Sequence, residues 1–147
     1  MKTLLIQSGH PFWEKTISFA RNCSWKAGPI LASRMEKNDF QDWERVIIAI
    51  DHEAVVGYCT LSEKDELPVE YGFSPFIGFV FVDENHRGKR ISEKMIEQAV
   101  HYAKELSFQS IYLMSGERRL YEKYSFQKNG EYETIYGTVD QLFQRAV

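Results

Sequence analysis

Cysteine is scarce in this chain. Cys23 and Cys59 are the only two among 147 residues, and their isolation gives neither metal-ligand spacing nor a disulfide framework. In a reducing compartment both stay thiols, and packing as small buried hydrophobes is their ordinary role. Charge of one sign is equally lacking. Eighteen Lys and Arg stand against 21 Asp and Glu, a formal net charge of −3, so nothing in the balance points to nucleic acid. No stretch approaches the roughly 18 to 20 consecutive apolar residues of a membrane span, and the start, Met1 to Gln7, turns polar too early for a signal peptide. Internal repeats, low-complexity tracts and an interdomain linker are absent too. The expectation is one cytoplasmic domain over residues 1–147, with no metal site and neither membrane nor nucleic acid as partner. Two phosphate-binding strings are also missing. No glycine stands four residues before a Gly-Lys-Ser or Gly-Lys-Thr, and of the three spaced glycines of a dinucleotide fingerprint only Gly88 is present.

What the chain does have is a basic, glycine-containing run, His86-Arg87-Gly88-Lys89-Arg90-Ile91-Ser92. Before it lies the all-apolar segment Phe76 to Val82, which reads as a buried strand. After it, Ile91, Met95, Ile96, Ala99, Ala103 and Leu106 recur at helical spacing. The run therefore opens a helix, where the backbone already carries about half a positive charge and prefers Asp or Glu. Placing Arg87, Lys89 and Arg90 there makes sense if an anion shares the site, held by free backbone N–H groups and the surrounding cations. The pattern points to a phosphate-bearing ligand.

Thr3 to Gln7 reads as a short strand and Pro11 to about Cys23 as a helix with Pro in its first turn. Gly28-Pro29 breaks it, and a second helical stretch runs from about Ile30 to Trp43. Arg45–Ile50 and Val55–Leu61 form a hairpin around Asp51-His52-Glu53-Ala54. An acidic, proline-punctuated loop from Ser62 to Pro75 follows. Beyond the long helix come a strand at Ser110–Met114, a short helix from Ser115-Gly116 through Tyr124, and one or two alternating strands from Phe126 onward. This order fits a mixed sheet with helices on both faces, in which Phe76 to Met114 makes a parallel strand-helix-strand crossover. Open sheets of this kind bind ligands at the carboxyl end of such a strand, where the basic run lies.

The string Arg87-Gly88-Lys89-Arg90-Ile91-Ser92 resembles the anion loop of the GNAT superfamily of acetyl-CoA-dependent N-acetyltransferases, in which Arg or Gln precedes Gly-x-Gly, an aliphatic residue and Gly or Ala. Leu120-Tyr121-Glu122-Lys123-Tyr124-Ser125-Phe126 is similar to the family's Leu-Tyr-Glu-Lys-Leu-Gly-Phe segment, and Ala49 to Tyr58 to its central hairpin. Together the matches cover roughly residues 45 to 130 in the family's order. Three departures stand out. Arg90 and Ser92 replace a Gly and a Gly or Ala of the anion loop, which helical backbone at both positions would accommodate. Ser125 stands in place of a Gly, tolerable if the position is not left-handed. Met114 and Ser115 occupy the place of an Asn often found before the short helix.

The resemblance implies an α/β (α+β) fold with a mixed, mostly antiparallel sheet of six to seven strands, helices on both faces, and a split between the two central parallel strands. It implies acetyl-CoA as cosubstrate, its pantetheine paired with backbone near Val80 and Val82 and its phosphates at Arg87, Gly88, Lys89, Arg90, Ile91 and Ser92. It also implies direct attack by a primary amine, with Tyr121 protonating the leaving sulfur. A phenol of pKa about 10 is a plausible donor to a thiolate of pKa about 8.5. Phe76 stands where histone-type members carry a catalytic Glu, so the base must come from elsewhere. Glu70, with Tyr71, is the first candidate, acting through a water, and Glu66 or Asp65 would serve if the loop folds over the cleft. His52 lies in a hairpin turn away from the cleft, and His86 suits a cationic rim better than a base. Glu63, Asp65, Glu66 and Glu70 against the single Lys64 favour a cationic acceptor, a small molecule or peptide amine. The aromatics Phe12, Trp13, Trp25, Phe40 and Trp43 suit either an acceptor pocket or ordinary core. Many members form homodimers through the region matching Tyr132 to Val147. An alternative function is a non-catalytic acyl-CoA-binding module, which retention of Tyr121 disfavours.

Overall fold

Seven strands and three helices make up the chain in a computed structural model that describes residues 1–147. They are β1 (Lys2–Ile6), α1 (Trp13–Asn22), α2 (Gly28–Glu36), β2 (Arg45–Asp51), β3 (Ala54–Ser62), β4 (Phe76–Val82), α3 (Ile91–Glu105), β5 (Ser110–Ser115), β6 (Gln127–Glu133) and β7 (Val139–Ala146). Single turns of tighter helix lie at Val69–Tyr71, Glu84–His86 and Tyr121–Tyr124. The sheet order is β1-β2-β3-β4-β5-β7-β6, and every neighbouring pair is antiparallel except β4 and β5. This is the split, mixed sheet that the sequence led us to expect, with seven strands.

Each face of the sheet carries its own core. On one face α3 buries Ile91, Met95, Ile96, Ala99 and Ala103 against Ile47, Leu61, Ile77 and Ile111. On the other, α1 and α2 bury Trp13, Ile17, Leu31 and Met35 against Val46, Ile48, Tyr58 and Phe81. Burying each large aliphatic or aromatic side chain contributes roughly 1.5–3 kcal/mol. Cys59 lies fully inside the first core, where burial pushes its thiol pKa up and leaves it an inert hydrophobe.

Two features of β4 shape the site. Its parallel pairing with β5 is limited to Phe76 opposite Tyr112 and Ile77 opposite Leu113, so the two strands part from Gly78 onward. Against β3, Tyr58 faces Phe81 and Thr60 faces Gly78, which leaves Cys59 opposite two residues, Phe79 and Val80. That is a β-bulge, and Phe79 sits in the left-handed region with φ of 52°.

Several boundaries differ from the sequence reading. The second helix starts two residues earlier than Ile30 and ends at Glu36, seven residues short of Trp43. Asn38 adopts φ of 49°, its N–H reaching the Met35 carbonyl at 3.0 Å while that of Asp39 reaches Arg34 at 3.1 Å. This is a Schellman stop built on Asn, a residue whose short polar side chain tolerates the left-handed region. The helix expected from Ser115 is instead the end of β5, and one tight turn follows only at Tyr121–Tyr124. The backbone at Arg90 is left-handed, not helical, with φ of 60° and ψ of 30°. Ser125 is left-handed as well, at φ of 67°. Both side-chain-bearing residues therefore occupy conformations that favour glycine.

Candidate active site

The parting of β4 from β5 opens a cleft of about 1910 Å³ between these two interior strands of the sheet. A single small-ligand pocket spans roughly 300–1,000 Å³, so there is room for two substrates. One end is built by the strand-to-helix junction. Asp83 N–H donates to the Val56 carbonyl at 2.8 Å, on the β3 side of β4. By the two-residue alternation of a strand, the peptide groups of Val80 and Val82 turn to the opened side. That edge has no strand partner and can receive one.

Beyond Val82 the chain reverses through the turn at Glu84–His86 and enters α3. Gly88, at φ of 84°, and Arg90 both take left-handed conformations, and the first amides of α3 have no intrahelical acceptor. Gly88, Arg90, Ile91 and Ser92 line the cleft here, so free N–H groups and a helix N-terminus face into it. The Arg87 side chain folds back, its Nε donating to the Val82 carbonyl at 3.0 Å and its guanidinium lying 5.6 Å from the Phe81 ring centre. Lys89 is exposed and stands outside the cleft wall. Ser92 and Tyr124 share a hydrogen bond of 2.9 Å, which ties the start of α3 to the tight turn that carries Tyr121.

Tyr121 lines the cleft from that turn, only 6% exposed, with Phe126 and Phe143 packed around its ring. Its position is fixed by the turn's own closure. Ser125 N–H bonds Glu122 at 3.2 Å and Phe126 N–H bonds the Tyr121 carbonyl at 3.1 Å. Burial is the main reason that its phenol is pushed up to about 12, so it stays a proton donor through the neutral range.

The acidic loop closes over the other end. Leu67 is buried against Phe76 and Leu142, and Ile135 N–H from the β6–β7 turn bonds the Glu66 carbonyl at 2.7 Å. This brings Asp65 and Glu66 to the cleft wall, while Glu70, the first candidate for a base, is exposed outside it. The Asp65 carboxylate sits over Gly78, the first residue beyond the β4–β5 pairing. A Cβ added there would meet Asp65 Oδ1 at 2.7 Å and Thr60 Oγ1 at 3.3 Å. Desolvation is the chief cause that pushes the Asp65 pKa up to about 7, with the Glu66 and Asp140 charges adding to it and the Glu66 amide and Arg34 opposing. Glu66 is raised for the same first reason.

His86 is a cleft residue too, but its Nδ1 lies 2.9 Å from Asp83 Oδ2 and its Nε2 3.5 Å from Asp51 Oδ2. Both nitrogens are thus engaged. His52 is exposed and outside the cleft. The sequence reading missed the ion pair of Arg34 with the buried Glu44, 3.5 Å apart. It also passed over Gly78, although a lone glycine inside an apolar strand is a signal of a bulge or a close approach.

A model of the acetyltransferase (GNAT) family matches residues 13–126. No curated protein is detectably similar in sequence. Among solved structures, the aminoglycoside 6'-N-acetyltransferase from Enterococcus faecium superposes with a TM-score of 0.76 at 14% identity, over 99% of this chain and 97% of that one. An aminoglycoside 6'-N-acetyltransferase complexed with coenzyme A gives 0.74 at 12%, with the same coverage. A GNAT family acetyltransferase from Elizabethkingia anophelis with acetyl-CoA bound gives 0.67 at 13%, again over 99% and 97%.

Proposed function

The chain belongs to the acetyltransferase (GNAT) family, and from that premise we propose that it transfers the acetyl group of acetyl-CoA to a primary amine by direct attack. The observation that carries this reading is that one cleft joins an unpaired strand edge, an anion-suited helix start, a buried phenol and a raised carboxylate. The peptide groups of Val80 and Val82 would pair with the pantetheine amides as an added strand does, and the amides from Gly88 to Ser92 would hold the pyrophosphate. Arg87 would add charge-assisted bonds once its side chain turns from Val82, and Lys89 would add only to the surrounding positive field.

The thioester then lies at the parting of β4 and β5. The amine nitrogen bonds to the carbonyl carbon, the C–S bond breaks, and Tyr121 gives its proton to the departing sulfur. The proton lost by the nitrogen goes to a carboxylate. Asp65 suits that role in place of Glu70, because it lines the cleft at the point of parting and titrates close to neutrality, where a base is most effective. The cleft-facing carboxylates Asp65 and Glu66 also favour a cationic acceptor.

Incubation with acetyl-CoA and an amine, followed by mass spectrometry, tests the reading. The expected products are free coenzyme A and N-acetylated amine in equal amounts, with the protein unmodified. Binding of acetyl-CoA without turnover of any amine would mean a non-catalytic module instead. A protein that accumulates a covalent acetyl group would contradict direct attack.

A further inference from the structure

The acceptor end of the cleft sets an aromatic wall beside a group of charged and polar side chains. It lies on the α1/α2 face of the sheet, where Trp25, Ile30, Phe40 and Phe79 line it. The bulge in β4 is what puts Phe79 there. Ile77 packs on the α3 face, so plain alternation would turn Phe79 to that face as well. The extra residue reverses this: Phe79 joins the α1/α2 core and Val80 packs on the α3 side. A left-handed φ at an aromatic residue is a strained backbone conformation, and here it delivers a ring to the cleft.

Trp25, from the loop between α1 and α2, stacks on Phe81 at 5.9 Å and 8° and meets Phe79 edge-on at 6.2 Å. Ile30 stands at the lip with 63% of its surface exposed. The polar groups nearby are mostly spent on one another. Arg34 donates to the Asp39 carbonyl at 3.0 Å and to Ser62 Oγ at 3.1 Å, and lies 4.1 Å from the Phe40 ring centre. Both Glu44 oxygens take backbone amides, those of Gln41 and Glu63, each at 2.7 Å. Glu63 in turn accepts from Gln41 Nε2 at 2.7 Å. What remains for a ligand is a largely aromatic wall with the carboxylates of Asp65 and Glu66 at its inner end, while the exposed Ser24, Asp39 and Lys64 also line the cleft.

Resting on the acetyl-transfer reading above, we infer that the acceptor is an arylalkylamine-like molecule. Its flat apolar body lies against Trp25, Ile30 and Phe79, and its ammonium group reaches Asp65. A sugar-like acceptor would strand hydroxyl groups on this wall, and a linear polyamine would leave the wall in water. An ammonium group held between rings and carboxylates gains from both.

The test is acetylation kinetics with phenethylamine, tryptamine, spermidine and an aminoglycoside, joined by calorimetric binding of phenethylamine to the protein saturated with coenzyme A. The two arylalkylamines should have the highest kcat/KM, by about 10-fold or more. Trp25→Ala should raise the KM for phenethylamine by about 10-fold while leaving the KM for acetyl-CoA unchanged. Because Trp25 also packs on Phe81, Ile30→Ser at the exposed lip provides a second variant, expected to weaken the same substrate in a fully folded protein. Preference for spermidine or the aminoglycoside, or insensitivity of phenethylamine to both variants, overturns the inference and leaves acetyl transfer standing. If no amine is turned over, the transfer reading fails, and Trp25-dependent binding of phenethylamine still decides the inference: its presence supports the site and its absence overturns it.

Discussion

Asp65 Oδ1 lies 2.7 Å from the point that a Cβ on Gly78 would occupy, so the carboxylate rests in the space left by the missing side chain. Gly78 is also the residue at which β4 leaves β5. A strand glycine, the opening of the sheet and a partly desolvated carboxylate thus coincide. Gly78→Ala must push that carboxylate aside, and misplacement of a reacting group by about 1 Å can cost on the order of 100-fold in rate. Steady-state kinetics should give a fall of that order in kcat/KM for the amine, with acetyl-CoA affinity retained.

Asp65→Asn separates the chemical role from the structural one. For the wild type, kcat/KM for the amine should rise with pH through about 7 as Asp65 ionises, apart from the acceptor's own ionisation near 10. The variant should lose that limb and about 10²- to 10⁴-fold in rate. Stability should move the other way. The folded-state pKa of Asp65 stands above its unfolded value of about 3.9, so the folded protein holds the extra proton in between, and stability falls as pH rises from about 4 through 7. Asn carries no charge to desolvate. Melting temperatures should therefore show Asp65→Asn gaining on the wild type at pH 8 and not at pH 4.

Glu66 and Glu70 form a matched pair, one lining the cleft and one exposed outside it. Glu66→Gln should raise the KM of a cationic amine several-fold, and more at low than at high salt. Glu70→Gln should leave it unchanged. Equal effects from both would mean that general loop charge, not the cleft wall, attracts the acceptor.

Arg90 and Ser125 hold left-handed backbone without being glycine. A residue with a Cβ loses roughly 1–2 kcal/mol there, and glycine gives back part of the gain through its more flexible unfolded chain. Arg90→Gly and Ser125→Gly should each stabilise the fold by about 0.5–1 kcal/mol, read from chemical denaturation. Unchanged or lower stability in both would mean that neither position is strained.

Gly88 carries φ of 84° with open space around the position of a Cβ, so its requirement is conformational. Gly88→Val should reset the loop and reduce acetyl-CoA affinity, while Arg87→Ala should cost about 1–3 kcal/mol of binding if the guanidinium reaches phosphate. Titration calorimetry on both variants distinguishes backbone from side-chain recognition.

The strand, basic loop and long helix from Phe76 to Glu105 were legible because an apolar run and a 3.6-residue period are local signals. So was the place of Tyr121 in the cleft wall, through the segment around it. The left-handed backbone at Arg90 and Ser125 was not, since neither side chain advertises it. Nor could Asp65 be preferred over Glu70. The course of that loop depends on Leu67 meeting Leu142 and on Ile135 bonding Glu66, contacts between segments far apart in the chain. The face that Phe79 takes was not legible either, because one extra residue in β4 moves its ring to the other side of the sheet from plain alternation.

The most direct test of acetyl transfer with Tyr121 as the acid is release of free thiol from saturating acetyl-CoA with an amine, compared between the wild type and Tyr121→Phe. Deleting one hydroxyl leaves the packing against Phe126 and Phe143 in place. The account predicts amine-dependent thiol release that falls by about 10²- to 10⁴-fold in the variant, with acetyl-CoA affinity nearly intact. Wild-type rates in Tyr121→Phe when chemistry limits turnover, or no amine-dependent release from the wild type, would contradict it.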